Sequence, residues 1–235
     1  MLVLYCMVGT RSLRCTIHSF PNQINQSNQH IFLIYSRCHF PQNPIGVPQI
    51  ANELCGRCKL YEKQLRESKK DANAFDVEQR VVEQYAKEKN LWIPISQIGE
   101  FGIPGPCGNE NETYVSNDVI YKVNNLMNSH CISKLFEKII CHNDLFYDTA
   151  YKFHAFTGIE GRTIMPVFCQ PLIKNANPAT NVEIETYMAA LGFSKLEKQG
   201  SFSNGSYNVW DLLPRNILKD SEGDLYIVDA EIEKL

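Results

Sequence analysis

The sequence predicts a fold that mixes helices with short hairpin strands, on three observations. Apolar residues recur at helical spacing in two blocks, Val77, Val81, Val82, Tyr85 and Ala86, then Ile132, Leu135, Phe136, Ile139 and Ile140. Between them, runs of alternating polarity at residues 112–115 and 119–123 are split by the turn residues Ser116-Asn117-Asp118. The last thirty residues read as two apolar strands around a Gly223 turn.

Composition sets the frame for these elements. The chain has 235 residues, of which 44% are hydrophobic and 21% charged, so it can bury a core and is neither collagen-like, mucin-like nor broadly disordered. A formal net charge of −3 lacks the electrostatic footprint of a duplex binder, so no strong nucleic-acid signal is present. No apolar run approaches the ~20 residues of a bilayer crossing, and no membrane partner is expected. The nine cysteines are odd in number and irregularly spaced, without a secretion signal, which points to reduced thiols and a cytoplasmic protein.

Residues 1–52 contain no Lys, Asp or Glu; the only charged side chains are Arg11, Arg14 and Arg37. This acid-free stretch reads as a poorly ordered leader, as sequence upstream of the true start, or as a targeting peptide. The run Ile31-Phe32-Leu33-Ile34-Tyr35 is one strand in search of a partner. A charged connector follows over residues 53–75, carrying Cys55-Gly56-Arg57-Cys58. A lone CxxC is a weak zinc signal, because four ligands are needed and Cys38-His39 are awkwardly adjacent.

The elements of residues 76–235 follow in order. Asp76 caps a helix to about Lys89, ended by Asn90 and Pro94, and residues 92–98 read as a strand. The stretch 99–108, with Gly99, Gly102, Gly105 and Gly108, leads into the hairpin that places Lys122 mid-strand. Glycine N–H groups can approach phosphates closely while a lysine adds positive charge beside them. A helix covers residues 129–141 and closes at His142-Asn143-Asp144; Glu137 on it is positioned to pair with Lys122 if the helix packs on the hairpin. His142 reads as a capping or core-edge residue. Strands at 151–156 and 163–168 turn at Gly158 to Gly161, and Cys169-Gln170-Pro171 leaves as an extended linker. A helix at 181–190 ends at Gly192, and 193–207 forms a hairpin turning at Asn204-Gly205.

The last segment carries the chemistry. Asp211 is followed, after four intervening residues, by Asn216, then by the apolar strand at 217–218, the Gly223 turn, and Leu225-Tyr226-Ile227-Val228-Asp229. Such a strand–turn–strand brings three oxygen-bearing side chains together. Asp211 is placed to accept a proton from an attacking hydroxyl, and Asn216 and Asp229 to hold Mg. With Lys122 and the glycine stretch upstream in the same order, the pattern matches that of protein kinases.

Residues from about 76 to 233 resemble the serine/threonine/tyrosine kinase-like domain of bacterial polyvalent proteins, carried by phages and conjugative elements, notably in Bacteroides-type bacteria. The matching blocks are residues 108–115, 119–125, 142–146, Gln170-Pro171, 188–193 and 211–229. The resemblance implies an α+β fold: a small protein-kinase-like, two-lobed domain with an antiparallel N-lobe sheet and a minimal, truncated C-lobe. It implies ATP and Mg as cofactors, with ATP between the lobes near Gln170. Carried over, Lys122 touches the α/β-phosphates, Asp211 is the base, and Asn216 and Asp229 bind metal; Gly105, Gly108, Glu137 and Gln170 complete the nucleotide site.

The chain also departs from that pattern. Val209-Trp210 stand where eukaryote-like kinases carry His-Arg, and Asp229-Ala230-Glu231 replaces Asp-Phe-Gly, closer to small-molecule phosphotransferases. The sequence ends six residues beyond Asp229, and the expected acceptor is therefore a small molecule or other non-peptide hydroxyl rather than a folded protein. Three readings follow: a phosphotransferase of unidentified acceptor, a catalytically inactive kinase-like nucleotide-binding or interaction module, and a structural or partner-binding protein without nucleotide.

Overall fold

The computed structural model describes residues 46–70 and 73–235, together with the backbone of residues 6–8 and 11–13. It divides into two units, residues 1–37 and 38–235. In the first, β1 (Cys6–Val8) and β2 (Arg11–Leu13) pair antiparallel. The strand read at 31–35 and the Cys38-His39 pair lie outside the described residues.

The second unit opens with α1 (Val47–Glu67), which has Pro48 in its first turn, where a missing N–H leaves no helical bond unmade. Val47, Ile50 and Leu54 recur at helical spacing and are buried. The boundary read at residue 53 falls inside this helix. Next, α2 (Ala74–Glu88) is capped by Asn73, whose side chain accepts the Asp76 N–H at 2.8 Å; Asp76 itself sits within the first turn. The helix stops where Asn90 turns to φ 55°.

The strand expected at 92–98 is reduced to one parallel bridge between Trp92 and Phe156. Pro94 has no N–H to donate to a ladder, and the chain coils instead into a 3-10 turn at Ile95–Phe101. Then come β3 (Ile103–Pro104), β4 (Asn111–Ser116) and β5 (Val119–Asn124). Gly102 has φ 151°, and a Cβ there would run into the Val115 carbonyl, so only glycine lets β3 lie down on β4.

After α3 (Ile132–Leu145) the hairpin β6 (Lys152–Ile159) and β7 (Thr163–Pro171) completes a five-stranded antiparallel sheet of order β3-β4-β5-β7-β6. Two expectations change here. The helix runs through His142-Asn143-Asp144 rather than closing on them, because His142 is one more inward-facing residue of its apolar side. Gln170 belongs to β7, paired with Ile120, and not to a linker beyond it.

The remainder is built from small sheets around α4 (Asn181–Ala190). Its N-terminus is a capping box: the Thr180 hydroxyl accepts the Glu183 N–H, and the Glu183 carboxylate accepts the Thr180 N–H. The strands are β8 (Asn177–Pro178), β9 (Ser194–Lys195), β10 (Phe202–Ser203), β11 (Tyr207–Trp210), β12 (Ile217–Lys219), β13 (Leu225–Ile227) and β14 (Glu231–Lys234). They pair as β13-β12-β8 and β14-β11-β10-β9, all antiparallel. The architecture is thus α+β, as the sequence predicts.

The two larger of three apolar clusters hold most of this unit's core; the smallest gathers Ile98, Val123, Ala155 and Val167. One joins α1, α2 and α3 to the sheet through Val82, Tyr85, Leu135, Phe136, Phe153, Phe156 and Phe168. The other joins α4 to the C-terminal strands through Ile184, Met188, Phe202, Val209, Ile217 and Ile227. The described cysteines, Cys55, Cys58, Cys107, Cys131, Cys141 and Cys169, are free thiols. Among the described residues no helix is long and apolar enough to cross a membrane, and no three His, Cys, Asp or Glu side chains gather as a metal-ligand set.

Candidate functional site

The meeting of β5, α3, the turn between α3 and β6 and the β13–β14 connection holds the candidate site. Lys122 points inward from β5 and is 7% exposed. Its Nζ donates to the Val228 carbonyl at 2.8 Å and to the Tyr151 hydroxyl at 3.1 Å. Tyr151 in turn donates its O–H to the same Val228 carbonyl at 3.1 Å. One residue earlier, the Ile227 carbonyl accepts the Thr149 hydroxyl at 2.5 Å. Three side chains therefore grip the two residues that lead into Asp229.

Asp229 is aligned from its other side by Asn216, whose carbonyl accepts the N–H groups of Val228 at 3.0 Å and Asp229 at 3.4 Å. Asn216 closes a 3-10 turn, Pro214–Asn216, directly before β12. Its Nδ2 donates to both the backbone oxygen and Oδ2 of Asp211, each at 2.8 Å. Asp211 stands just past β11 with φ 60°, an unusual value for a non-glycine that Asp tolerates better than most. Arg215 donates to its Oδ1 at 2.6 Å. Packing of this turn also requires Gly200, whose φ is 68° and whose hypothetical Cβ would lie 2.9 Å from the Leu212 carbonyl.

Asp211 and Asn216 from the β11–β12 connection, Asp229 from the β13–β14 connection and Lys122 from β5 are thus drawn from three segments into one neighbourhood. The Asp229 and Asp211 side chains keep 34% and 38% of their surface. Carboxylate and amide oxygens of this kind suit a hard divalent cation. Beside Asp229 a small cavity is lined by Lys122, Lys138, Asn111, Asn124 and Tyr151, among others.

Four residues of the expected nucleotide set sit differently. Glu137 lies on the exposed side of α3 and does not meet Lys122. At about 100° per residue, the position that shares a flank with buried Leu135 and His142 is Lys138, not its neighbour. Gly105 and Gly108 shape the β3–β4 turn, but their N–H groups already donate to the Thr113 and Asn111 carbonyls at 2.8 and 3.1 Å. Neither amide is turned toward a ligand; Gly105 is small because a Cβ would press on Thr113 Oγ1 at 2.7 Å. Gln170 is buried, donating Nε2 to the Thr149 carbonyl at 2.5 Å, with Oε1 unpartnered among the described residues.

The sequence reading missed Lys138. Its Nζ contacts Glu231 at 2.8 Å and Glu110 at 3.3 Å, and lies 4.0 Å from Asp229 Oδ1. The spacing Leu135–Lys138–His142, one turn then another on the same flank, was the available signal. Burial opposes its charge, but Asp229, Glu110 and Glu231 together outweigh burial and hold its pKa above the ordinary lysine value. Lys122 goes the other way: burial pulls it down, with Asp229 offsetting only part. Burial raises Glu231, partly countered by Lys138, and raises the Tyr151 phenol well above its usual range.

Against protein-family models, residues 76–234 match the family described as "Serine/Threonine/Tyrosine Kinase found in polyvalent proteins". No curated protein matches the chain significantly.

Proposed function

The chain belongs to the serine/threonine/tyrosine kinases found in polyvalent proteins, and from that premise we propose that it is an ATP- and Mg-dependent phosphotransferase. The observation that carries the reading is the convergence of Asp211, Asn216, Asp229 and Lys122 from distant segments, in the chain order that phosphoryl transfer uses.

When bound, the metal would supply positive charge against the negative charge that develops on the transferred phosphoryl group. Asp229 and Asn216 would hold it, and Lys122 would lie beside the α/β-phosphates. Asp211 would take the acceptor's hydroxyl proton as that oxygen bonds the γ-phosphorus and the bridging P–O bond to the ADP leaving group breaks. Its hydrogen bonds from Asn216 and Arg215 fix the carboxylate, while its exposure leaves room for an acceptor. The two larger apolar clusters would be the cores of two lobes, with nucleotide between them near Gln170 and the glycine turn. The acceptor is proposed to be a small-molecule or other non-peptide hydroxyl, supported by Ala230-Glu231 following Asp229 in place of the Phe-Gly of eukaryote-like kinases.

A second reading, nucleotide binding without turnover, is favoured by the engaged Gly105 and Gly108 amides. Thermal-shift titration with ATP, with and without Mg²⁺, and phosphate-transfer assays on wild type and Asp229→Ala decide between them. A ligand that binds only the native state stabilises it by about 2.7 kcal/mol at a hundred times Kd. The expected result is a Mg²⁺-dependent shift and turnover, both lost in the variant. A shift without turnover selects the second reading, and no shift at millimolar ATP overturns both.

A further inference from the structure

Lys138 stands among three carboxylates supplied by three other places in the chain. Glu110 comes from the residue before β4, Asp229 from the β13–β14 connection and Glu231 from β14. The ammonium lies 3.3 Å from Glu110 Oε2, 2.8 Å from Glu231 Oε1 and 4.0 Å from Asp229 Oδ1. Its side chain and that of Glu110 are only 10% and 6% exposed, so solvent screens these charges weakly. Glu110 is further fixed by hydrogen bonds from Ser129 and Asn128 at 3.2 Å each. Lys138 is thereby held at a defined distance from the very carboxylate assigned to the metal.

We propose that Lys138 is the resident counter-cation of Asp229 and sets how tightly a divalent metal binds there. The ammonium already neutralises part of the negative charge that attracts the metal, and repels an incoming ion. Glu110 and Glu231 keep it in place and temper that repulsion. Lys138 is a positioning residue in this scheme: it acts through Asp229 and Glu231. The inference rests on the reading of Asp229 as a metal-holding residue.

The test is Mn²⁺ alone, without nucleotide, titrated into the full chain and followed by electron paramagnetic resonance of the free ion and by melting temperature. Lys138→Met is expected to bind Mn²⁺ about tenfold more tightly than wild type, the scale set by a charge a few ångströms away in a partly buried site. Lys138→Arg, which keeps the charge, is expected to stay near wild type. Equal or weaker binding by a folded Lys138→Met overturns the proposal. Should that variant not fold, Glu110→Gln serves: it leaves Lys138 less compensated, so weaker Mn²⁺ binding is expected, and unchanged or tighter binding overturns the proposal. Asp229→Ala separates the two layers. If it abolishes Mn²⁺ binding while Lys138→Met leaves affinity unchanged, only the counter-cation role fails. If neither wild type nor Lys138→Met binds Mn²⁺, the metal reading of Asp229 fails with it.

Discussion

Asp211 occupies a left-handed backbone conformation that costs most side chains about 1 kcal/mol or more, and its carboxylate is tied down by Arg215 and Asn216. Asp211→Asn suits the same backbone, so its melting temperature is expected within a few degrees of wild type while phosphate transfer falls by about a hundredfold or more. Retained transfer would remove Asp211 as the base. Lys122 gives a sharper contrast. Its burial without a carboxylate in hydrogen-bond contact disfavours its own charge, and the Val228 carbonyl keeps Tyr151 as a donor if Lys122 is removed. Lys122→Met is therefore expected to match or exceed wild-type stability in urea, while losing the ATP-dependent thermal shift. His142 is a core residue against Phe146 and Tyr151, with burial pushing its pKa down to about 3. Unfolded, it titrates near 6.5. Below that value the unfolded chain takes up a proton that the folded chain refuses, so stability is full above pH 6.5 and falls as pH drops toward 3. The loss reaches a few kcal/mol on an order-of-magnitude basis. His142→Phe should move the acid-unfolding midpoint to lower pH, and an unmoved midpoint would contradict this account.

The placement of α3 depends on a contact between helices. Cys131, at its N-cap position, makes no side-chain cap, and the Glu78 carboxylate from α2 accepts the Ile132 and Ser133 N–H groups instead, at 2.8 and 2.9 Å. An acid at a helix N-terminus also meets the positive end of the helix dipole. Glu78→Ala is expected to cost about 1–3 kcal/mol in urea unfolding and to loosen α3 in hydrogen exchange. If α3 protection is unchanged, Glu78 does not set the helix. The helix itself was legible from its apolar spacing, but which charged residue faces the site was not. That is decided by its rotation against β5 and β7, and the rotation exposes Glu137 and turns Lys138 inward.

The family match begins at residue 76, yet α1 precedes it and places Val47, Ile50 and Leu54 in the larger apolar cluster. Burying an aliphatic side chain stabilises by roughly 1.5–3 kcal/mol, so the three together approach the whole stability of a typical domain. A chain trimmed to residues 73–235 is therefore expected to unfold at markedly lower urea than one beginning at Gly46; equal midpoints would show that α1 is dispensable. The link between the two larger apolar clusters is polar. Thr149 donates to the Ile227 carbonyl, Gln170 donates to the Thr149 carbonyl, and Lys122 and Tyr151 meet at Val228.

Local patterning was enough to place α2, α3 and α4, the β4–β5 and β6–β7 hairpins and the Asn204-Gly205 turn, because apolar spacing and turn chemistry act over a few residues. It also singled out Asp211, Asn216, Asp229 and Lys122 as candidates, since their types and order in the chain carry that signal. It misjudged the strand at 92–98, where a missing N–H outweighed apolar character, and the linker at Gln170, where pairing with β5 continued the strand. The rest depended on contacts between residues far apart in sequence. Only packing decided that the Gly105 and Gly108 amides bond within their own hairpin, that Glu110 and Glu231 meet at Lys138, and that a carboxylate on α2 caps α3. Each of those outcomes is a competition for a hydrogen bond or a counter-charge, and the competitors become neighbours only once the chain has folded.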